Sequence, residues 1–281
     1  MKFCDSHTDF LTKIESQEER ERYIRQMNVL GGEEISCAVF TTTKGLGMQE
    51  VEAFAREVQH YNKKYGLKLM LSIEDLGFAK DLQMVERLCR LKPFSTTLTW
   101  NKQNQFCGGA HSMSGLTPLG MEAISVLENN GVLVDTAHLS RKGFYEVAKI
   151  TKCPLYNSHS NIFSLKKHCR NLKDDQIEKI VKREGFLGLT FYDKFISDKK
   201  LSCEVLARQF DYVVKKFGCD HFGIGSDLYG IAPQHLPVDL KGYWQLDNLA
   251  AALRKLGYSE GTIEKLFYKN FQDFLKRVGK Y

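Results

Sequence analysis

Short runs of β-branched and apolar residues recur along the chain, separated by longer stretches whose apolar positions follow the period of a helix. Eight such runs stand out: "MKFCDSHTD", "EISCAVFTTT", "GLKLMLSIED", "PFSTTLTW", "GVLVDTAH", "PLYNSHS", "FLGLTFY" and "HFGIGSD". Between them the pattern predicts helices over 15–28, 47–64, 78–91, 117–129, 140–150, 173–183 and 201–217, with two more over 245–256 and 259–278. Strands that alternate with helices pair in parallel through right-handed crossovers. Eight units at roughly 30-residue spacing predict an α/β fold closed as a (β/α)8 TIM barrel rather than an open sheet. The segment "GLTPLGMEAISVLENNGV" shows the local logic. Thr117 suits the N-cap, Pro118 the first helical position and Gly131 the end, while Met121, Ile124 and Leu127 predict the buried face. No repeat or Pro-rich linker divides the chain, so residues 1–281 read as one domain. The longest irregular stretches, 101–116, 160–171 and 228–244, all follow strands and are expected to overhang one end of the barrel.

Composition adds exclusions. With 43% hydrophobic and 26% charged residues the chain reads as a soluble globular protein, and no apolar run approaches bilayer length. The opening "MKFCDSHTDF" carries two aspartates and no signal-like run, which makes the cytoplasm the expected location and a membrane partner unexpected. The net charge of +6 is spread without a basic tract, so no nucleic-acid partner is expected. Eight cysteines stand far apart with no C-x-x-C pair, which excludes a zinc finger or redox dithiol and fits reduced thiols.

The chemistry lies in where ionisable residues fall. His7 and Asp9 stand at i and i+2 of a strand, where two side chains point the same way, although a lone His-x-Asp is commonly only a capped turn. With the strands placed as above, His7 and Asp9 end strand one, Glu74 strand three, His138 strand five, His159 strand six and Asp227 strand eight. Barrel enzymes build their sites at that C-terminal rim. Strict alternation puts Gly223 and Gly225 inward beneath Asp227, lines Val132, Val134 and Thr136 under His138, and turns Cys4 away. Three histidines and three carboxylates in one buried pocket would repel or stay unsatisfied without a cation. Three carboxylates and one hydroxide balance two divalent ions. A nitrogen and oxygen donor set without thiolate suits zinc first and admits manganese, cobalt or iron.

The motifs "DSHTDF", "SIEDLG", "TLTWN", "GLTPLG", "GVLVDTAHLS", "NSHSN", "RNLKDDQIEKIV" and "GIGSDLYG", in this order over nearly the whole chain, resemble a bacterial-type member of the membrane dipeptidase (renal dipeptidase) family of binuclear zinc peptidases. The resemblance implies an amidohydrolase-like barrel with C-terminal helices. It implies that His7 and Asp9 bind one metal, that His138 and His159 bind the other, and that Glu74 bridges them. Asp227 matches the aspartate beside the nucleophilic water, and Arg170 in "CRNL" matches the arginine that holds the substrate's terminal carboxylate. Acceptance of a D-residue in second position and a homodimer are further implications. Two positions depart from the pattern: Trp100 stands where animal members carry a carbonyl-steadying histidine, and Tyr229 where many carry an acid.

A water between two cations ionises near neutral pH, with a pKa of about 7, and would serve as a metal-bridging hydroxide. Asp227 is then placed as general base and later acid, and Arg170 as a two-pronged carboxylate clamp. By sequence alone Arg170 reads equally as surface charge beside Lys166, Lys167 and His168. Asn101, Gln103 and Asn104 are candidate oxyanion donors, and Trp100 and Tyr192 candidate pocket walls. His60, His168, His221 and His235 read as structural or solvent groups, whereas His111 lies in a loop that reaches the site. The expectation is a metal-dependent dipeptidase. A lactonase, deaminase or nuclease usually opens with His-x-His, against Asp9 here, and a silent barrel would gain nothing from a full ligand set.

Overall fold

The computed structural model describes residues 1–41 and 45–280. The eight runs become eight parallel strands hydrogen-bonded in chain order: β1 (Phe3–Thr8), β2 (Gly32–Phe40), β3 (Lys68–Glu74), β4 (Ser95–Thr97), β5 (Leu133–Asp135), β6 (Tyr156–Ser160), β7 (Phe186–Leu189) and β8 (Phe222–Ile224). The second run was expected to continue through Thr42 and Thr43, which lie outside the described residues. β1 and β8 close the barrel through a parallel bridge between Thr8 and Leu228. There Asp9 N donates to Leu228 O and Asp227 N to His7 O, both at 3.0 Å. The closing seam therefore runs through three of the expected site residues.

Helices follow the predicted periods closely, as in Met48–Tyr65, Arg141–Ile150 and Cys203–Phe217. Thr117 accepts from Gly120 N and Pro118 opens its helix, as expected. The buried face of that helix is Gly120, Ala123, Ile124 and Leu127, however, and Met121 is exposed. A Cβ at Gly120 would stand 2.1 Å from Phe106 O, so this turn packs directly on backbone; Ile124 and Leu127 are buried as expected, and Gly120 takes the place expected for Met121. Two one-turn helices, Phe10–Lys13 and Asp193–Ile196, directly follow the ends of β1 and β7 and are too short to show a period. Among the described residues, no helix is long and apolar enough to cross a membrane.

The base of the barrel is sealed. Cys4, Leu133, Tyr156 and Phe186 from four strands pack with Phe271, Phe274 and Leu275 of the last helix, Asn270–Arg277. Tyr156 stacks on Phe274 at 5.4 Å, and its hydroxyl donates to Ser6 O at 2.8 Å. This corrects two expectations from strict alternation. Cys4 belongs to this basal cluster, so its distance from the site is along the barrel axis rather than across a strand. On β5 the cluster contains Leu133, whereas Val132 and Val134 belong to the other cluster, which the surrounding helices share. The irregular stretches after β4, β6 and β8 gather at the opposite end, where the barrel is open.

Candidate metal centre

Alternation alone does not bring the candidate ligands together. The β1–β2 register shifts between Phe3 and Asp5 and again between Asp5 and Thr8, and Asp9 lies past the strand as the N-cap of the Phe10–Lys13 turn. His138 and Asp227 also stand beyond their strands and adopt left-handed backbone, with φ of 65° and 59°. Such values are strained for residues with a Cβ and accumulate at functional sites. The strand ends are instead held by buried aspartates. Asp5 Oδ1 accepts from His7 N at 3.0 Å and from Ser226 N at 2.9 Å, and Asp5 Oδ2 accepts from the Tyr243 hydroxyl at 2.6 Å. Asp135 repeats the device: its Oδ1 accepts from Ala137 N at 2.9 Å and from Ser158 N at 3.0 Å. Each brace ties a strand end that carries a candidate ligand to its neighbour where the ladder stops.

Three of the expected histidines converge on one carboxylate oxygen, and the two remaining carboxylates gather beside His7. Glu74 Oε1 lies 2.8 Å from His138 Nε2, 3.6 Å from His159 Nε2 and 3.9 Å from His7 Nε2, and Asp9 Oδ2 lies 3.7 Å from His7 Nε2. His7, Glu74 and His159 form one group of converging donor atoms, and His7, Asp9 and Asp227 a second. His7 Nε2 and Asp9 Oδ1 are buried with no hydrogen-bond partner among the described residues. His138 Nδ1 donates to Asn101 Oδ1 at 2.9 Å, and His159 Nδ1 meets the Ser158 hydroxyl at 2.8 Å, so both Nε2 atoms are turned inward.

The electrostatics fit a cation. Burial, the Arg170 guanidinium and the His7 ring hold His138 and His159 well below the usual imidazole range, so both present neutral lone pairs. Burial also disfavours charge on His7, but the Asp9, Glu74 and Asp227 carboxylates override it and raise its pKa to about 10. Burial lifts Glu74, and burial with the neighbouring Asp9 lifts Asp227 well above the usual carboxylate range. Like charges thus crowd where a metal would neutralise them. Oxygen and nitrogen donors without a thiolate fit zinc, manganese, cobalt or iron(II).

The cluster forms the floor of a cavity of about 760 Å³, whose walls include Trp100, Asn101, Arg170 and Tyr192. Trp100 stacks near the His138 ring at 5.8 Å and against Phe40 at 5.2 Å. Tyr192 packs on Phe195 at 4.8 Å. Arg170 is no surface residue: it is 5% exposed, its Nη2 donates to His159 O at 3.3 Å, and its Nε is buried without a partner among the described residues. Burial lowers its pKa to about 10, still fully charged at neutral pH. Of the oxyanion candidates, Asn101 is engaged by His138, and Asn104 is tied to Asp75 and Leu98 O. His168 and His235, expected to be structural or solvent groups, line the cavity, as does His111. Tyr229 does not shape the cavity mouth; it packs on Tyr23 at 4.6 Å beside a separate small groove. The aspartate braces escaped sequence reasoning. Their signal, an aspartate two or three residues before a candidate ligand histidine in "CDSH" and "VDTAH", acquires meaning only when neighbouring strands are known.

A family model described as "Membrane dipeptidase (Peptidase family M19)" matches residues 41–281. The "Uncharacterized protein in pqqA 5'region" of Klebsiella pneumoniae is 30% identical over 192 residues, covering 64% of this chain and 70% of that one. "Dipeptidase tcpJ" of Claviceps purpurea is 28% identical over 65% of this chain, a match that spans 44% of its own length. A metallo peptidase from Rhodobacter sphaeroides, solved with a phosphinate mimic of the dipeptide L-Ala-D-Ala, superposes with a TM-score of 0.86 at 20% identity over 99% of both chains. Dipeptidase AC superposes equally well, with a TM-score of 0.86 at 21% identity over 100% of this chain and 99% of its own.

Proposed function

This chain belongs to the membrane dipeptidase family, and we propose that it hydrolyses dipeptides at a two-metal centre on the open rim of its barrel. The observation that carries the proposal is the position of Glu74 Oε1, within 3.9 Å of the inward Nε2 atoms of three histidines. In this reading His7 and Asp9 would hold one divalent cation and His138 and His159 the other, with Glu74 placed to contribute to both, and the donor set favours zinc. Two such ions, when bound, supply the charge that acidifies a shared water and polarises a carbonyl oxygen.

The remaining steps fall to side chains. Arg170, rigidly seated on His159 O and the Phe195 ring, presents guanidinium donors to the substrate's terminal carboxylate and sets the register of the peptide bond over the cluster. Asp227, which converges with His7 and Asp9, takes the proton of the attacking water on a carboxylate oxygen and returns it to the departing amine. Trp100 and Tyr192 wall the cavity and exclude water from its sides. Dipeptides with a D-residue in second position are included, a reading supported by the ligand of the Rhodobacter sphaeroides structure.

The test is turnover of matched L,L and L,D dipeptides by protein stripped with a chelator and then resupplied with zinc, manganese or cobalt. Hydrolysis that vanishes on stripping and returns with metal is expected. Turnover that survives exhaustive chelation, or no turnover with any metal, overturns the reading.

A further inference from the structure

Outside the ligand cluster, the cavity wall is dominated by positive charge. Its charged members are Lys13, Lys166, Lys167, Arg170 and Lys194 against the carboxylate of Asp198. Asp198 is already paired with Lys166, and the nearby Asp193 is held by His235 at 3.1 Å. Lys167 and Lys194 are exposed and, among the described residues, make no ion pair. The centre does not offset them, because its three carboxylates would stand beside two divalent cations.

The placement of these lysines is specific. Lys166 and Lys167 lie on the loop that carries Arg170. Lys194 is the immediate neighbour of Phe195, whose ring bears the Arg170 guanidinium at 5.5 Å and the His168 ring at 4.6 Å. Lys13 lies apart, over the Phe40 ring at 4.9 Å. Lys167 and Lys194, the second also within the field of Asp198, therefore line the side of the cavity where Arg170 is positioned to take an α-carboxylate, which is the end occupied by the C-terminal residue. A dipeptide with neutral side chains is a zwitterion that such a wall does not select. One that ends in an acidic residue has net negative charge and brings a second carboxylate to this side of the cavity.

We propose that the preferred substrates are dipeptides whose C-terminal residue is aspartate or glutamate, with Lys167 and Lys194 receiving the side-chain carboxylate. The inference rests on the dipeptidase reading of the centre. Water adds across the peptide bond, the N-terminal residue leaves as its carboxylate and the acidic amino acid leaves with its amine restored. Exposed lysine–carboxylate contacts contribute about two- to fivefold each, so the two together predict a preference of about fivefold or more. That preference weakens as salt screens the wall.

The experiment compares Ala-Glu with its near-isostere Ala-Gln on the zinc-loaded protein, in both configurations at the second residue, at about 10 mM and about 500 mM salt. The expected result is a kcat/KM ratio of about five or more at low salt that falls at high salt and collapses toward one in K167M/K194M. The ratio is internally controlled, since any loss of folded protein affects both substrates alike. Calorimetric binding of free glutamate against glutamine gives the same comparison without turnover. Ala-Gln cleaved as readily as Ala-Glu, or a preference unchanged in the double variant, overturns the inference and leaves the dipeptidase reading standing. Failure to cleave any dipeptide, Ala-Ala included, overturns both.

Discussion

Gly230→Ala tests the site through one atom. A Cβ at this position would stand 2.1 Å from Asp9 Oδ2 and 2.2 Å from Asp227 Oδ1, where ordinary contact begins at 3.4 Å. Gly230 is not among the residues with positive φ, so alanine is acceptable to the backbone and the conflict is confined to those two carboxylates. Each must retreat by more than about 1 Å, and a displacement of that size at reacting groups costs about a hundredfold in rate. Moving Asp9 disturbs a proposed ligand, and the zinc affinity of that position should fall about 10- to 100-fold. Global stability should change by no more than about 1 kcal/mol, because separating two crowded carboxylates offsets the added contact. The assay measures zinc content after dialysis, kcat/KM for Ala-Ala and the melting temperature of the stripped protein. Loss of zinc and activity with near-unchanged melting is expected. A variant that keeps two zinc ions and full activity would show that Asp9 and Asp227 do not meet as described.

Two further substitutions separate binding from assembly. Arg170→Met should raise KM by about two orders of magnitude while leaving zinc content unchanged, since it removes a charge-assisted carboxylate contact and no metal donor; steady-state kinetics beside metal analysis checks this. Asp135→Ala leaves the N–H groups of Ala137 and Ser158 without their acceptor, and should lower zinc affinity about 10- to 100-fold, with Asp135→Asn restoring most of it through its amide oxygen. Equal affinity across that series, measured by competition with a chelator, would remove the brace from the account.

The barrel was legible because its signals are local. Apolar periodicity, the Thr117 cap and Pro118 each specify an element without reference to the rest of the chain. The convergence of the candidate ligands was legible because strand ends in a barrel share one rim, so placing His7, Glu74, His138, His159 and Asp227 at strand ends was enough to bring them to one end of the barrel. What alternation could not supply was the last turn of backbone. The register shifts between β1 and β2, the left-handed His138 and Asp227, and the N-cap position of Asp9 depend on contacts between neighbouring strand ends. Arg170 illustrates the same limit: among Lys166, Lys167 and His168 it looks like surface, and only the packing of Phe195 and the His159 carbonyl shows it buried. Met121 was misplaced because a glycine, silent in a hydrophobic pattern, forms the contact face one residue earlier.

Side chains from opposite ends of the chain are proposed to hold two divalent cations that make this barrel a peptidase. Zinc titration of the stripped protein, read simultaneously as bound metal and as dipeptide turnover, tests this most directly. Activity should rise to a plateau at about two equivalents, and His159→Ala should retain about one tight equivalent and no turnover. Turnover at zero metal, or saturation of binding without any gain in activity, would contradict the proposal.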